Sequence, residues 1–132
     1  MRPSQRARGT IGLVLSAILL TTACGGDDGG STASKPSPGA TPDVIVKNDD
    51  ALKFDQKVYN AKAGTVTIEL DNDPGQILHT LKMDGQKGLA LQVQGRGKTD
   101  TGSITLKPGT YTIYCDVPTH RGAGMEAKLI VS

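Results

Sequence analysis

Three side chains in one short stretch carry the donor atoms of a soft metal site: Cys115, His120 and Met125, spaced C-x4-H-x4-M. Such donors are scarce here, since the chain has two Cys, two His and three Met including the initiator. A thiolate, an imidazole and a thioether together suit a soft, redox-active metal, above all copper; hard cations want oxygen, and structural zinc rarely takes a thioether. The copper geometry built from these donors is a trigonal set of two His and one Cys with a weak axial Met, so a second imidazole is required. His79 is the only other histidine. Each residue alone has a plainer reading, with Cys115 a small buried hydrophobe, Met125 a core filler and His120 a surface loop residue. A catalytic Cys/His pair is the competing chemistry, but it lacks an orienting partner and leaves Met125 without a role.

The elements that must position these donors read as strands. Tyr111, Ile113 and Cys115 alternate with Thr112 and Tyr114, and Ala127, Leu129 and Val131 alternate beyond the ligand string. Upstream, Ile77, His79, Leu81 and Met83 fall on one face, so His79 points with core residues. This layout, a terminal Cys115, His120, Met125 loop with a lone histidine in Ile77-Leu78-His79-Thr80-Leu81, resembles the cupredoxin family in its plastocyanin and azurin-like branch. The resemblance implies an all-β Greek-key sandwich or barrel and one type 1 copper ion held by His79, Cys115, His120 and Met125. It also implies that the backbone N–H groups of Thr80 and Val117 point at the sulfur. The side chains of Thr80 or Asp116 are candidates to brace the ligand loops, with a solvated turn residue as the alternative reading of Asp116. Thr80 stands where these proteins commonly carry Asn.

The rest of the domain is consistent with short strands. Val44-Ile45-Val46 is a β-branched run, Val66, Ile68 and Leu70 alternate with polar residues, and Leu89, Leu91 and Val93 do the same. Leu52 to Tyr59 shows no helical period, and Asn60-Ala61-Lys62-Ala63-Gly64 reads as a turn. Asp71-Asn72-Asp73-Pro74-Gly75 ends one strand, and Pro108-Gly109 fits the centre of a type II turn. No segment has a convincing helical period, which points to an antiparallel sandwich or barrel over residues 43–132. With only Phe54, Tyr59, Tyr111 and Tyr114 as aromatics, the core must be mostly aliphatic.

The N-terminal third has a different character. Arg2, Arg6 and Arg8 precede an apolar run from Ile11 to Leu20, which reads as a secretory signal peptide over residues 1–23 and is short for a membrane span. Leu19 to Cys24 resembles a bacterial lipoprotein cleavage box, with Cys24 as the lipid-bearing first residue; simple secretion with cleavage near Ala23 is the alternative. Residues 24–42 are then a lipidated Cys and a Gly, Ser, Thr, Pro and Asp tether too polar to order itself. A lipid on Cys24 leaves Cys115 unpaired, and a bound metal protects such a thiol in an oxidising compartment. The expected location is the extracytoplasmic or periplasmic side of the cell membrane.

Of 15 basic residues Arg2, Arg6, Arg8 and Lys35 precede Asp43, leaving 11; of 13 acidic residues Asp27 and Asp28 do, also leaving 11. A formally neutral domain offers no basic field for nucleic acid. The expected activity is single-electron transport by a monomer that meets redox protein partners transiently. Extracytoplasmic copper binding and delivery is the alternative, although the tether lacks the Met-rich or His-rich tracts of such carriers. Two histidines are too few for the further copper centres of a multicopper oxidase, so no enzyme activity is expected.

Overall fold

Period-two alternation in apolar residues sets the architecture: each alternating run lays one row of side chains into a shared interior and the other into solvent. In the computed structural model, which describes residues 33–37 and 39–132, the described residues form ten strands. They are β1 (Ala33–Ser34), β2 (Val44–Asp49), β3 (Lys53–Phe54), β4 (Val58–Ala61), β5 (Gly64–Asp71), β6 (His79–Met83), β7 (Gln86–Val93), β8 (Thr99–Leu106), β9 (Gly109–Tyr114) and β10 (Glu126–Val131). The expected signal peptide and Cys24 lie outside the described residues.

The strands form two five-stranded sheets, ordered β1-β8-β5-β2-β3 and β4-β10-β9-β6-β7, in a Greek-key sandwich. Pairing is antiparallel except for β2 with β5 and β4 with β10. The inward rows Val66, Ile68 and Leu70 from one sheet and Leu81, Ile113 and Leu129 from the other are buried. Each such side chain contributes roughly 1.5–3 kcal/mol by leaving water. Aliphatic residues dominate this core, joined by Phe54 and Tyr59.

The second sheet fixes where the site must be. Strand β9 runs antiparallel to both β10 and β6, with Tyr114 opposite Glu126 on one side and Lys82 on the other. The end of β9 and the beginnings of β6 and β10 therefore share one edge of the sandwich. His79 opens β6, Cys115 follows β9 directly, and Met125 immediately precedes β10.

Four local expectations are corrected. Asn60 and Ala61 belong to β4, not to a turn, because they pair with Ile130 and Val131 seventy residues away, a partner that local turn chemistry does not show. Gly109 has no positive φ and pairs with Val131 as the first residue of β9, so a type II turn is not formed there. Ile77 does not share the buried face of His79, since β6 begins only at His79 and Ile77 lies exposed in the preceding loop. Ala33 and Ser34, expected within a disordered tether, pair with Ile104 and Ser103 along the open edge of β8, with Ala33 packed against the core.

Candidate metal centre

His79, Cys115 and Met125 are placed by strand ends, and His120 by the loop between β9 and β10. The sulfur of Cys115 lies 3.5 Å from Nδ1 of His120, and the rings of His79 and His120 are 5.2 Å apart, tilted by 57°. One ligand atom each from His79, Cys115 and His120 can be chosen so that all three lie within 4.8 Å of one another. Met125 joins them through the backbone: its N–H donates to the His120 carbonyl at 3.1 Å, and its carbonyl accepts the Cys115 N–H at 3.1 Å. His79, Cys115 and Met125 are fully buried, while His120 keeps 8% of its surface exposed.

The loop between Cys115 and Met125 is tightly folded. The His120 N–H donates to the Val117 carbonyl at 3.1 Å, and the Ala123 N–H reaches the carbonyls of Thr119 and His120 at 2.9 and 3.1 Å. Thr119 takes φ 75° immediately before the ligand, a left-handed conformation that a β-branched residue adopts only when its surroundings impose it. Outside, the Arg121 guanidinium holds the loop to two strands and a turn. It donates to both carboxylate oxygens of Asp84 at 3.1 and 2.7 Å and to Glu126 at 2.7 Å, and lies 4.0 Å over the Tyr114 ring. Arg121 thereby holds the Asp84 carboxyl below the usual carboxylate range. Lys57 ties the far end by donating to the Gly124 and Glu126 carbonyls at 2.7 and 3.3 Å.

Thr80 and Asp116 brace Cys115 from the other side. The Thr80 N–H donates to the Cys115 sulfur at 3.4 Å. Its hydroxyl accepts the Asp116 N–H at 2.9 Å and sits 2.6 Å from Asp116 Oδ1 and 3.4 Å from the sulfur. A hydroxyl has one proton, and the shorter contact to a carboxylate takes it. Lys82 binds the other oxygen of Asp116, and these two partners, Lys82 first, hold the Asp116 carboxyl below its ordinary range. The expected second N–H donor to sulfur is not found among the described residues: Val117 packs against the core and offers its carbonyl to His120 instead.

The donor set fits a copper ion. Among the described residues neither buried ring nitrogen of His79 has a partner in good hydrogen-bond geometry, Asp49 and Asp50 being its polar neighbours, a costly arrangement for an imidazole unless something coordinates it. Burial lowers the His79 pKa, with His120 adding to the effect and Asp50 opposing it, so the ring is neutral and able to ligate near pH 7. Among the described residues the buried Cys115 has no disulfide partner. Sequence reasoning missed Arg121, a charge inside the ligand string, and Lys82 and Asp84, which lie more than 30 residues before Cys115 and carry no signal linking them to it. It also missed Asp50 and Asn72, which lie in the polar runs Asn48-Asp49-Asp50 and Asp71-Asn72-Asp73.

The comparisons agree with this chemistry. A family model for copper binding proteins of the plastocyanin/azurin family matches residues 41–132. Similar folds include dithionite-reduced auracyanin from Roseiflexus castenholzii, 22% identical with a TM-score of 0.60, covering 71% of this chain and 99% of that one. Auracyanin A, a "blue" copper protein of Chloroflexus aurantiacus, is 22% identical with a TM-score of 0.55, covering 70% of this chain and 100% of that one. An azurin from Methylomonas sp. strain J is 13% identical with a TM-score of 0.53, covering 70% and 99%. No curated protein matches the chain significantly. His79, Cys115, His120 and Met125 thus form a type 1 copper site, and the chain belongs to the plastocyanin/azurin family of copper binding proteins, the cupredoxins.

Proposed function

We propose that the protein is a single-electron carrier, held at the outer face of the cell membrane by a lipid on Cys24. The observation that carries the electron-transfer reading is the convergence of His79, Cys115 and His120, donor atoms within 4.8 Å, in a buried frame braced on every side. A copper ion held there would supply one-electron chemistry between Cu(II) and Cu(I). Cys115 would hold it as the thiolate, His79 and His120 through their imidazoles, and Met125 as a weaker thioether donor. The Thr80–Asp116 and Arg121–Asp84 contacts fix the ligand loops independently of the ion, so little has to move when the charge changes.

His120 is the one of the four that reaches the surface, beside exposed Pro118, Gly122 and Ala123. A redox protein meets the copper centre there through a small, transient contact, and the carrier works as a monomer without enzyme activity of its own.

The test is to reduce and reoxidise the copper-loaded protein in the presence of a Cu(I) chelator. An electron carrier bleaches, recovers its colour and keeps its metal through many cycles. Transfer of copper to the chelator on the first reduction contradicts this reading and favours copper delivery.

A further inference from the structure

The loop that delivers His79 is held by side chains outside the copper quartet. Asp50, in the β2–β3 connection, accepts the N–H groups of Gln76 at 2.7 Å and Ile77 at 3.2 Å with its Oδ1. On the other side the Asn72 amide donates to the carbonyls of Ile77 at 3.2 Å and Gly95 at 3.0 Å. Ile77, two positions before the ligand, is therefore gripped at both its N–H and its carbonyl. Gly75 fits flush against the same group, since a Cβ there would lie 2.6 Å from Asn72 Oδ1, 3.1 Å from Asn48 Oδ1 and 3.3 Å from Asp50 Oδ1. The Asp50 oxygen that secures the loop also stands 4.0 Å from Nε2 of His79. With Nε2 turned toward Asp50, Nδ1 is the ring atom left for the ion.

We propose that Asp50 is a positioning residue of the copper centre: it sets the approach of His79 and stands as a fixed negative charge behind the imidazole, holding the reduction potential down. This rests on His79 being a copper ligand. Asp50 acts on the position of the ring through the Gln76 and Ile77 N–H groups that it holds, and its charge behind the imidazole raises the basicity of the ligand. A negative charge 4.0 Å behind the ligating ring favours the more positive Cu(II) state over Cu(I), and because the Asp50 side chain is 42% exposed, water and salt screen part of the effect.

Two variants of the copper-loaded full chain test this. Asp50→Asn keeps an acceptor oxygen for Gln76 and Ile77 but removes the charge; it should keep the intense visible band of the parent and shift the reduction potential upward. Asp50→Ala removes both functions and should add an approximately tenfold or greater loss of copper affinity to the same upward shift. A merely structural Asp50 would move the second quantity and leave the potential alone. A potential in Asp50→Asn equal to or below that of the parent overturns the proposal while the copper assignment stands. A parent that shows no visible band with copper overturns both.

Discussion

Replacing Thr80 by Val removes one hydroxyl and keeps the shape of a side chain that is 8% exposed. Two interactions go with it: the 2.6 Å bond to the Asp116 carboxylate and the 2.9 Å bond accepted from the Asp116 N–H. A hydrogen bond to a charged group contributes about 1.5–3 kcal/mol, to be discounted because the Asp116 side chain is 36% exposed. The part-buried N–H left without a partner adds about 1–2 kcal/mol. The sum is a loss of about 2–4 kcal/mol from the metal-free protein, or about 10–20 °C in Tm for a domain of this size. Urea unfolding followed by circular dichroism measures it, with Thr80→Ser, which keeps the hydroxyl, as the control. A Val variant within about 0.5 kcal/mol of the parent would show that this pair does not hold Cys115 against β6.

Two further perturbations probe the frame. Gly75→Ala places a methyl 2.6 Å from Asn72 Oδ1, whose amide is fixed by two carbonyls, so it should destabilise the fold by about 1–3 kcal/mol; thermal melting with no change in Tm would contradict the packing described. In the metal-free protein the folded-state pKa of His79 lies below its unfolded value of 6.5, burial being the main cause. As pH falls through 6.5 toward that lower value the unfolded chain binds the proton first, so His79 makes stability decline there and contributes no slope above. Denaturant midpoints that are flat or rising as pH drops from 7.5 to 5.5, if retained in His79→Gln, would contradict the burial of a neutral ring.

Much of this was legible in the residues themselves. The copper quartet is readable because Cys, His and Met are rare in the chain and sit at strand ends, and the inward rows Val66, Ile68, Leu70 and Ala127, Leu129, Val131 follow the period of two that the sandwich buries. What escaped is whatever depends on a distant partner. Asn60 and Ala61 look like a turn until β10 arrives beside them. Ile77 keeps the apolar alternation of β6, yet Asp50, 27 residues earlier, holds it in a loop. The Val117 N–H was expected to face the sulfur, yet among the described residues the Thr80 N–H is the backbone donor found there. Asp50, Asn72 and Arg121 act through geometry that no local spacing encodes.

The claim under all of this is that Cys115 binds one copper ion together with His79 and His120. Titrating the purified protein with Cu(II) and recording the visible spectrum tests it directly. The account predicts an intense thiolate-to-copper band that saturates at one equivalent and is absent in Cys115→Ser. No band in the parent, or a band that survives the loss of the sulfur, would contradict it.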